Sequence, residues 1–113
     1  MEIDWVKEFP GAITVCNPEG IILYMNDQSG KTFESDGGLK LIGKNALNCH
    51  PPAARKKMLA LLRSGEKNVY QITKMGVKKM IYQSPWYENG EYKGFVEISL
   101  VIPEDMPTFN RGG

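Results

Sequence analysis

Asn89-Gly90 separates two β-rich runs, residues 79–87 and 92–102. A two-residue connection between paired strands needs positive φ at its central positions, and Asn-Gly supplies it at little steric cost. This one dipeptide therefore predicts a long antiparallel hairpin that occupies the C-terminal third of the chain. Residues 69–74 read as a preceding strand, turned into the hairpin by Met75-Gly76. Residues 12–16 and 21–25 are two further β-rich runs, split by the turn Asn17-Pro18-Glu19-Gly20, and predict a second hairpin. Pro85 cannot donate a ladder hydrogen bond, so a bulge or an edge position is expected there.

Between the hairpins the pattern changes. From Asn26 to Cys49, Asp36-Gly37-Gly38 and Gly43 interrupt any long periodicity, leaving only short helices or turns. Pro51-Pro52 then opens a true helix, because proline is preset for helical φ in the first turn. Ala54, Met58, Leu61 and Leu62 share one face of it, and Ser64-Gly65 ends it with a left-handed cap. Residues 2–8 predict a short N-terminal helix with Ile3 and Val6 on one side, ended before Pro10. The expected organisation is an N-terminal helical cap (1–9), one domain (10–103) and a flexible tail (104–113) broken by Pro103 and Pro107. Two strands, short helices, one longer helix and three strands pack most simply as an α+β fold, a five-stranded antiparallel sheet with helices on one face.

Composition narrows the function. At 113 residues, with 42% hydrophobic and 24% charged, the chain suits one folded core. Fourteen basic residues against 13 acidic give a net charge of +1, so neither nucleic acid nor an anionic membrane is the expected partner. The Arg55-Lys56-Lys57 and Lys78-Lys79 clusters lack interleaved aromatics and read as solvated faces. No apolar run approaches the ~20 residues of a membrane helix. Met1-Glu2-Ile3-Asp4-Trp5 carries no signal-like run, and Cys16 and Cys49 are too few for a disulfide scaffold. A cytoplasmic protein with two reduced thiols is expected. Catalysis is not: the chain has no Gly-x-Ser-x-Gly elbow, no phosphate loop and a single histidine.

The element order resembles that of the PAS domain family, and so do three segments. Residues 17–26, Asn-Pro-Glu-Gly-Ile-Ile-Leu-Tyr-Met-Asn, are similar to the family's opening turn and strand. Leu41-Ile42-Gly43-Lys44-Asn45 is similar to the segment before its long helix, and residues 88–97 to its last hairpin. Asn48-Cys49-His50-Pro51-Pro52 resembles a bacterial subgroup found beside iron- or haem-associated modules. The resemblance spans residues 8 to 102 and implies a sensor or signalling domain with a cavity between the helices and the sheet. Light-sensing flavin members carry a reactive Cys where this chain has Ala46, so no flavin adduct is expected. Val101-Ile102-Pro103 replaces the usual ending that leads to an output helix, so the signal is expected to pass to a separate protein or through self-association.

The same resemblance turns Thr14 and Cys16, Ile81 and Gln83, and Phe95, Glu97 and Ser99 toward the cavity, where His50 and Met58 join them as candidate ligand-binding residues. Two-residue alternation keeps each strand's set on one face. Glu97 in such a place needs a partner or a proton. His50 is the candidate axial ligand if the cofactor is haem, since a neutral imidazole ligates iron; the plainer alternative is a histidine that hydrogen-bonds local backbone. A zinc site is not expected, because Cys49 and His50 are adjacent and only Cys16 remains as a thiolate. Val96, Ile98 and Leu100 form an apolar outer stripe to be covered by the segment carrying Trp5 or by the second subunit of a homodimer. Four functions follow: a small-ligand sensor, a ligand-free interaction module, a haem-based redox or gas sensor, and, more remotely, an isomerase or hydrolase using Glu97 as base.

Overall fold

A computed structural model of the chain describes residues 3–112; the side chain of Cys49 lies outside the described residues. Two short strands, β1 (Ala12–Cys16) and β2 (Ile22–Met25), lead into helix α1 (Asp27–Thr32). Three single 3-10 turns follow, at Glu34–Asp36, Gly38–Leu41 and Ala46–Cys49, and then helix α2 (Pro52–Ser64). Strands β3 (Asn68–Lys74), β4 (Val77–Glu88) and β5 (Glu91–Val101) complete one five-stranded sheet, ordered β2-β1-β5-β4-β3. Every neighbouring pair is antiparallel. The expected α+β architecture is the observed one.

Local chemistry sets the connections. Asn89 and Gly90 take φ of 53° and 78°, and Met75-Gly76 makes a similar turn at 53° and 80°. Asn17 closes the first turn: its Oδ1 accepts from the Glu19 and Ile21 N–H groups at 3.0 and 2.9 Å. The Gly43-Lys44-Asn45 stretch clamps β2 from outside, with Ile22 N–H donating to Lys44 O and Gly43 N–H to Ile22 O. Helix α2 ends on Gly65, left-handed at φ 67°, whose N–H donates to Leu61 O at 3.0 Å. β3 stops at the Asn68↔Gln83 pair, so from Ser84 onward β4 has β5 as its neighbour and is otherwise an edge. Pro85 sits in that edge stretch, and the register shift falls one residue later, between Trp86 and Tyr87.

The N-terminal helix is not formed. Residues 3–9 are irregular apart from a turn in which Phe9 N–H reaches Val6 O, and Asp4 Oδ1 accepts from Lys7 N–H; Met1 and Glu2, also placed in that helix, lie outside the described residues. The carbonyls of this stretch are used elsewhere, and Asn26 shows where. Its Nδ2 donates to Val6 O at 2.9 Å and Gly11 O at 2.8 Å. Its Oδ1 accepts from Ile13 N–H at 2.9 Å and, as the cap of α1, from Ser29 N–H at 3.0 Å. Asn26 is fully buried, and one amide thereby joins the N-terminal segment, β1 and α1. After Pro103 the described tail has no regular structure.

Two apolar clusters fill the core. Cys16, Ile22, Met25, Leu41 and Ala46 form one; Leu61, Leu62 and Phe95 form the other. Met58 packs against both. Gly94, at φ 133°, lets β5 lie against β1 where any Cβ would strike the Cys16 carbonyl, and that carbonyl instead accepts from Trp86 Nε1 at 3.0 Å.

Replacing Asn26 by Ala strands two donors and two acceptors in a water-free position, so urea unfolding should register a loss of about 3–5 kcal/mol, at ~1–3 kcal/mol per unsatisfied group before relaxation. Asn26→Asp keeps the acceptor side and should lie between wild type and Ala. A loss below about 1 kcal/mol for Asn26→Ala would contradict the hub role.

Candidate functional site

Helix α2 is held to the body of the protein at its two ends. At its C-terminal end Leu61 and Leu62 pack on Phe95, and Tyr92 Oη donates to Leu62 O at 2.8 Å. At its N-terminal end Arg55 donates from Nε to Leu47 O at 3.0 Å and from Nη2 to His50 O at 3.2 Å. Between these anchors the helix and the sheet border a partly open cavity of about 550 Å³. That lies within the ~300–1,000 Å³ common for small-molecule sites. Ala54, Lys57 and Met58 line it from α2, and Phe33, Asp36 and Leu41 from the connecting segment.

The sheet contributes a row of polar side chains. Asn68, Gln83, Glu97 and Thr14 stand directly opposite one another on β3, β4, β5 and β1. Asn68 Nδ2 donates to Gln83 Oε1 at 2.8 Å, and Gln83 Nε2 donates to Glu97 Oε1 at 2.7 Å. Thr14 turns away to share a 2.6 Å hydrogen bond with Ser29 on α1. The adjacent row, Phe95, Cys16 and Ile22, is apolar and lines the same space. The cavity is thus mostly hydrocarbon, with one polar band across its floor.

Electrostatics follow from burial. The Cys16 thiol is pushed up to about 12, first by burial and then by the charge of Glu97. Tyr70, also on the cavity wall, has its phenol raised for the same two reasons in the same order. Neither group is an activated nucleophile; both favour the neutral form.

His50 lines the cavity just before Pro51, in the extended backbone that a residue preceding proline adopts. Its Nδ1 lies 2.8 Å from Ala46 O. A carbonyl only accepts, so Nδ1 carries the proton, and in the neutral ring Nε2 holds the lone pair.

Thr14, Cys16, His50, Met58, Gln83, Phe95 and Glu97 line one space. Ile81 and Ser99 do not line it: they pair with each other one row further along the same face, where Ile81 is buried. Lys57, read as part of a solvated cluster, is a lining residue, and Arg55 of the same cluster is the anchor of the helix start. Asn68 and Tyr70 were missed as well, although their two-residue spacing on β3 is the available signal. Ala46 is buried in the apolar cluster beside Cys16. Among the described residues no group of three or more His, Cys, Asp or Glu is placed to hold a metal ion, and no helix is long and apolar enough to cross a membrane.

On the opposite face of the sheet Val96, Ile98 and Leu100 are partly buried. Leu100 and Phe9 close over Gly11, and Trp5 meets Phe9 edge-on at 5.6 Å while remaining 61% exposed. The N-terminal segment thus reaches one end of the stripe as an irregular strap instead of a helix.

No family model matches the chain, and no curated protein sequence does. Solved structures do. The C-terminal domain of a Streptococcus mutans protein superposes with a TM-score of 0.68 at 24% identity, covering 85% of this chain and 78% of that one. The PAS domain of BvgS from Bordetella pertussis gives 0.62 at 24% identity, over 88% and 82%. The Vibrio cholerae Aer2 receptor, described as a dual PAS–haem oxygen sensor, gives 0.58 at 19% identity, over 82% and 95%. The fold is the PAS fold.

A thiol whose folded value is raised stabilises the native state below its unfolded value of 9.0 and loses that contribution as pH climbs toward about 12. Urea titrations should show stability falling across that window, less steeply in Cys16→Ala. In a Cys49→Ser background, iodoacetamide near pH ~8 should alkylate native Cys16 at least ~100-fold more slowly than the unfolded chain. Equal rates would mean the thiol is neither buried nor raised.

Proposed function

We propose that this chain, which carries the PAS fold, is a sensor or signalling domain that binds a small molecule between α2 and the sheet. The observation that carries this reading is the partly open cavity of about 550 Å³, mostly apolar but crossed by a hydrogen-bonded polar band. An interaction module without a ligand would be expected to fill that space with side chains, as protein interiors normally do. His50, Thr14, Cys16, Met58, Gln83, Phe95 and Glu97 are the proposed ligand-binding residues, with Ile81 and Ser99 supporting them from the next row. Binding rather than catalysis is the proposed role, since the two raised groups on the wall, Cys16 and Tyr70, are held neutral.

Transmission follows from where the cavity lies. A ligand that presses on Met58 or Lys57 acts on α2 between its anchors, and one that presses on Glu97 or Phe95 acts on β5. Side chains of β5 alternate between the cavity and the opposite face, where Val96, Ile98 and Leu100 lie. We assign that stripe, with the exposed Trp5, to a homodimer contact or to a separate signalling protein. Neither nucleic acid nor membrane is a proposed partner, and a cytoplasmic location suits the free, buried thiol of Cys16.

A haem-based version has one specific support. The Nδ1–H of His50 is committed to Ala46 O, the arrangement that orients a metal-ligating imidazole and frees Nε2 as donor atom. Haem, if bound, would supply gas or redox sensing, with His50 as axial ligand and the apolar walls against the macrocycle.

Native mass spectrometry of freshly purified protein should show a retained small-molecule mass, lost on denaturation and lost in Ala54→Phe, which fills the cavity from α2. A bare protein mass, with no thermal stabilisation by any member of a small-molecule library, would favour the interaction module instead. A Soret band that disappears in His50→Ala would identify haem, and a protein that stays colourless after haemin addition removes that version. Sedimentation equilibrium should show a dimer weakened at least about tenfold by Leu100→Glu, equivalent to ~1.4 kcal/mol.

A further inference from the structure

The polar band has a direction, and the direction has a cause. Glu97, as a carboxylate, only accepts hydrogen bonds. Gln83 must therefore turn its NH₂ to Glu97 Oε1, at 2.7 Å, which leaves its carbonyl facing Asn68. Asn68 in turn must offer its own NH₂, at 2.8 Å. Both bonds point the same way, from the edge strand toward β5, and the row ends on an acceptor. Among the described residues Gln83 is the hydrogen-bond partner of Glu97, and it occupies Oε1. Thr14, directly across on β1, is engaged with Ser29. No lysine or arginine forms an ion pair with Glu97 among the described residues. Oε2 takes no hydrogen bond from the described residues, and Glu97 is a lining residue of the cavity.

We propose that the cavity selects a small amphipathic molecule that presents a donating nitrogen, an amine or a ring N–H, to Glu97 Oε2 while its hydrocarbon or aromatic body lies among Phe33, Met25, Met58 and Phe95. The inference rests on the reading of this cavity as a ligand site and adds the chemical class. Charge-assisted hydrogen bonds are about twice as strong as neutral ones, and a carboxylate facing an apolar space favours them further. An anionic group brought to the same end meets like charge with Oε1 and Oε2. Of the other charged groups on the wall, Lys57 is the one that favours an anion, whereas Asp36 acts in the same sense as Glu97.

Three compounds with one apolar body separate the alternatives: naphthylmethylamine, naphthylmethanol and naphthoate. Calorimetric or ligand-observed NMR titration at neutral pH should rank the amine first and the carboxylate last, with at least about a tenfold gap between them, the factor expected from one charge-assisted contact. Glu97→Gln keeps an acceptor for Gln83 and removes the charge, so it should collapse the gap and leave the alcohol nearly unchanged. Lys57→Gln removes a wall cation that attracts the carboxylate, so it should widen the gap or leave it in place, never close it. Equal binding of all three, or a gap that survives Glu97→Gln, overturns the assignment of ligand class while the cavity reading stands. Carboxylate binding tightest, with the order abolished in Lys57→Gln, overturns it in favour of an anionic ligand. No binding by any of the three, in wild type and variants alike, sinks the cavity reading and this inference with it. The wild-type ranking alone decides the matter should Glu97→Gln fail to fold.

Discussion

One buried side-chain amide, that of Asn26, holds together the parts of this fold that backbone ladders do not. A buried amide left unpaired costs free energy, so a fully enclosed Asn is tolerated only where donors and acceptors converge on it. Here the carbonyls of Val6 and Gly11 and the N–H groups of Ile13 and Ser29 converge. The same residue starts α1 and ends the turn out of β2, so the direction in which the chain leaves the sheet is set at that point. Everything from Asp27 to Cys49, and hence the side wall of the cavity, is laid out from there. Sequence adjacency explains its reach: it lies one residue beyond β2 and one before α1.

The cavity is a consequence of spacing. α2 is fixed near its start by Arg55 and at its end by Leu61, Leu62 and Tyr92, while Ala54, Lys57 and Met58 line the open space beside the sheet. Its floor is polar because three neighbouring strands each place a hydrogen-bonding side chain at the same level. An isolated buried Gln would be a liability; between Asn68 and Glu97 it is satisfied at both ends. The band is also asymmetric, ending in charge on β5, the strand whose other face carries the apolar stripe. Ligand contact and outer surface therefore share one rigid element, which is the physical basis for coupling the two.

Much of the fold was legible in the residues. Asn89-Gly90 and Met75-Gly76 marked their turns, Asn17 to Gly20 the first hairpin, and Pro52 and Gly65 the limits of α2, because each depends on local backbone preference. Alternation fixed which residues of β1, β4 and β5 share a face, but which face turns to the helices came from the family resemblance and not from the residues. The N-terminal helix was not legible. Ile3 and Val6 have helical spacing, yet the carbonyl of Val6 is captured by Asn26, a residue 20 positions away that no local pattern reveals. Arg55 and Lys57 look like a solvated cluster in sequence. The helix phase and the turn before it send one to cap carbonyls and the other to the cavity.

By itself the sequence determined the strands, the turns, the long helix and the alternating faces, since these rest on φ preferences and short periodicities. It also supplied the parts of the site, His50, Gln83 and Glu97 among them. Only the tertiary structure decided that Asn68 lies level with Gln83 and Glu97, that Ile81 and Ser99 fall one row too far along, and that His50 spends its Nδ1 proton on Ala46. Register between distant strands and the tautomer of a ring are settled by which groups meet after packing, and no local propensity encodes that meeting.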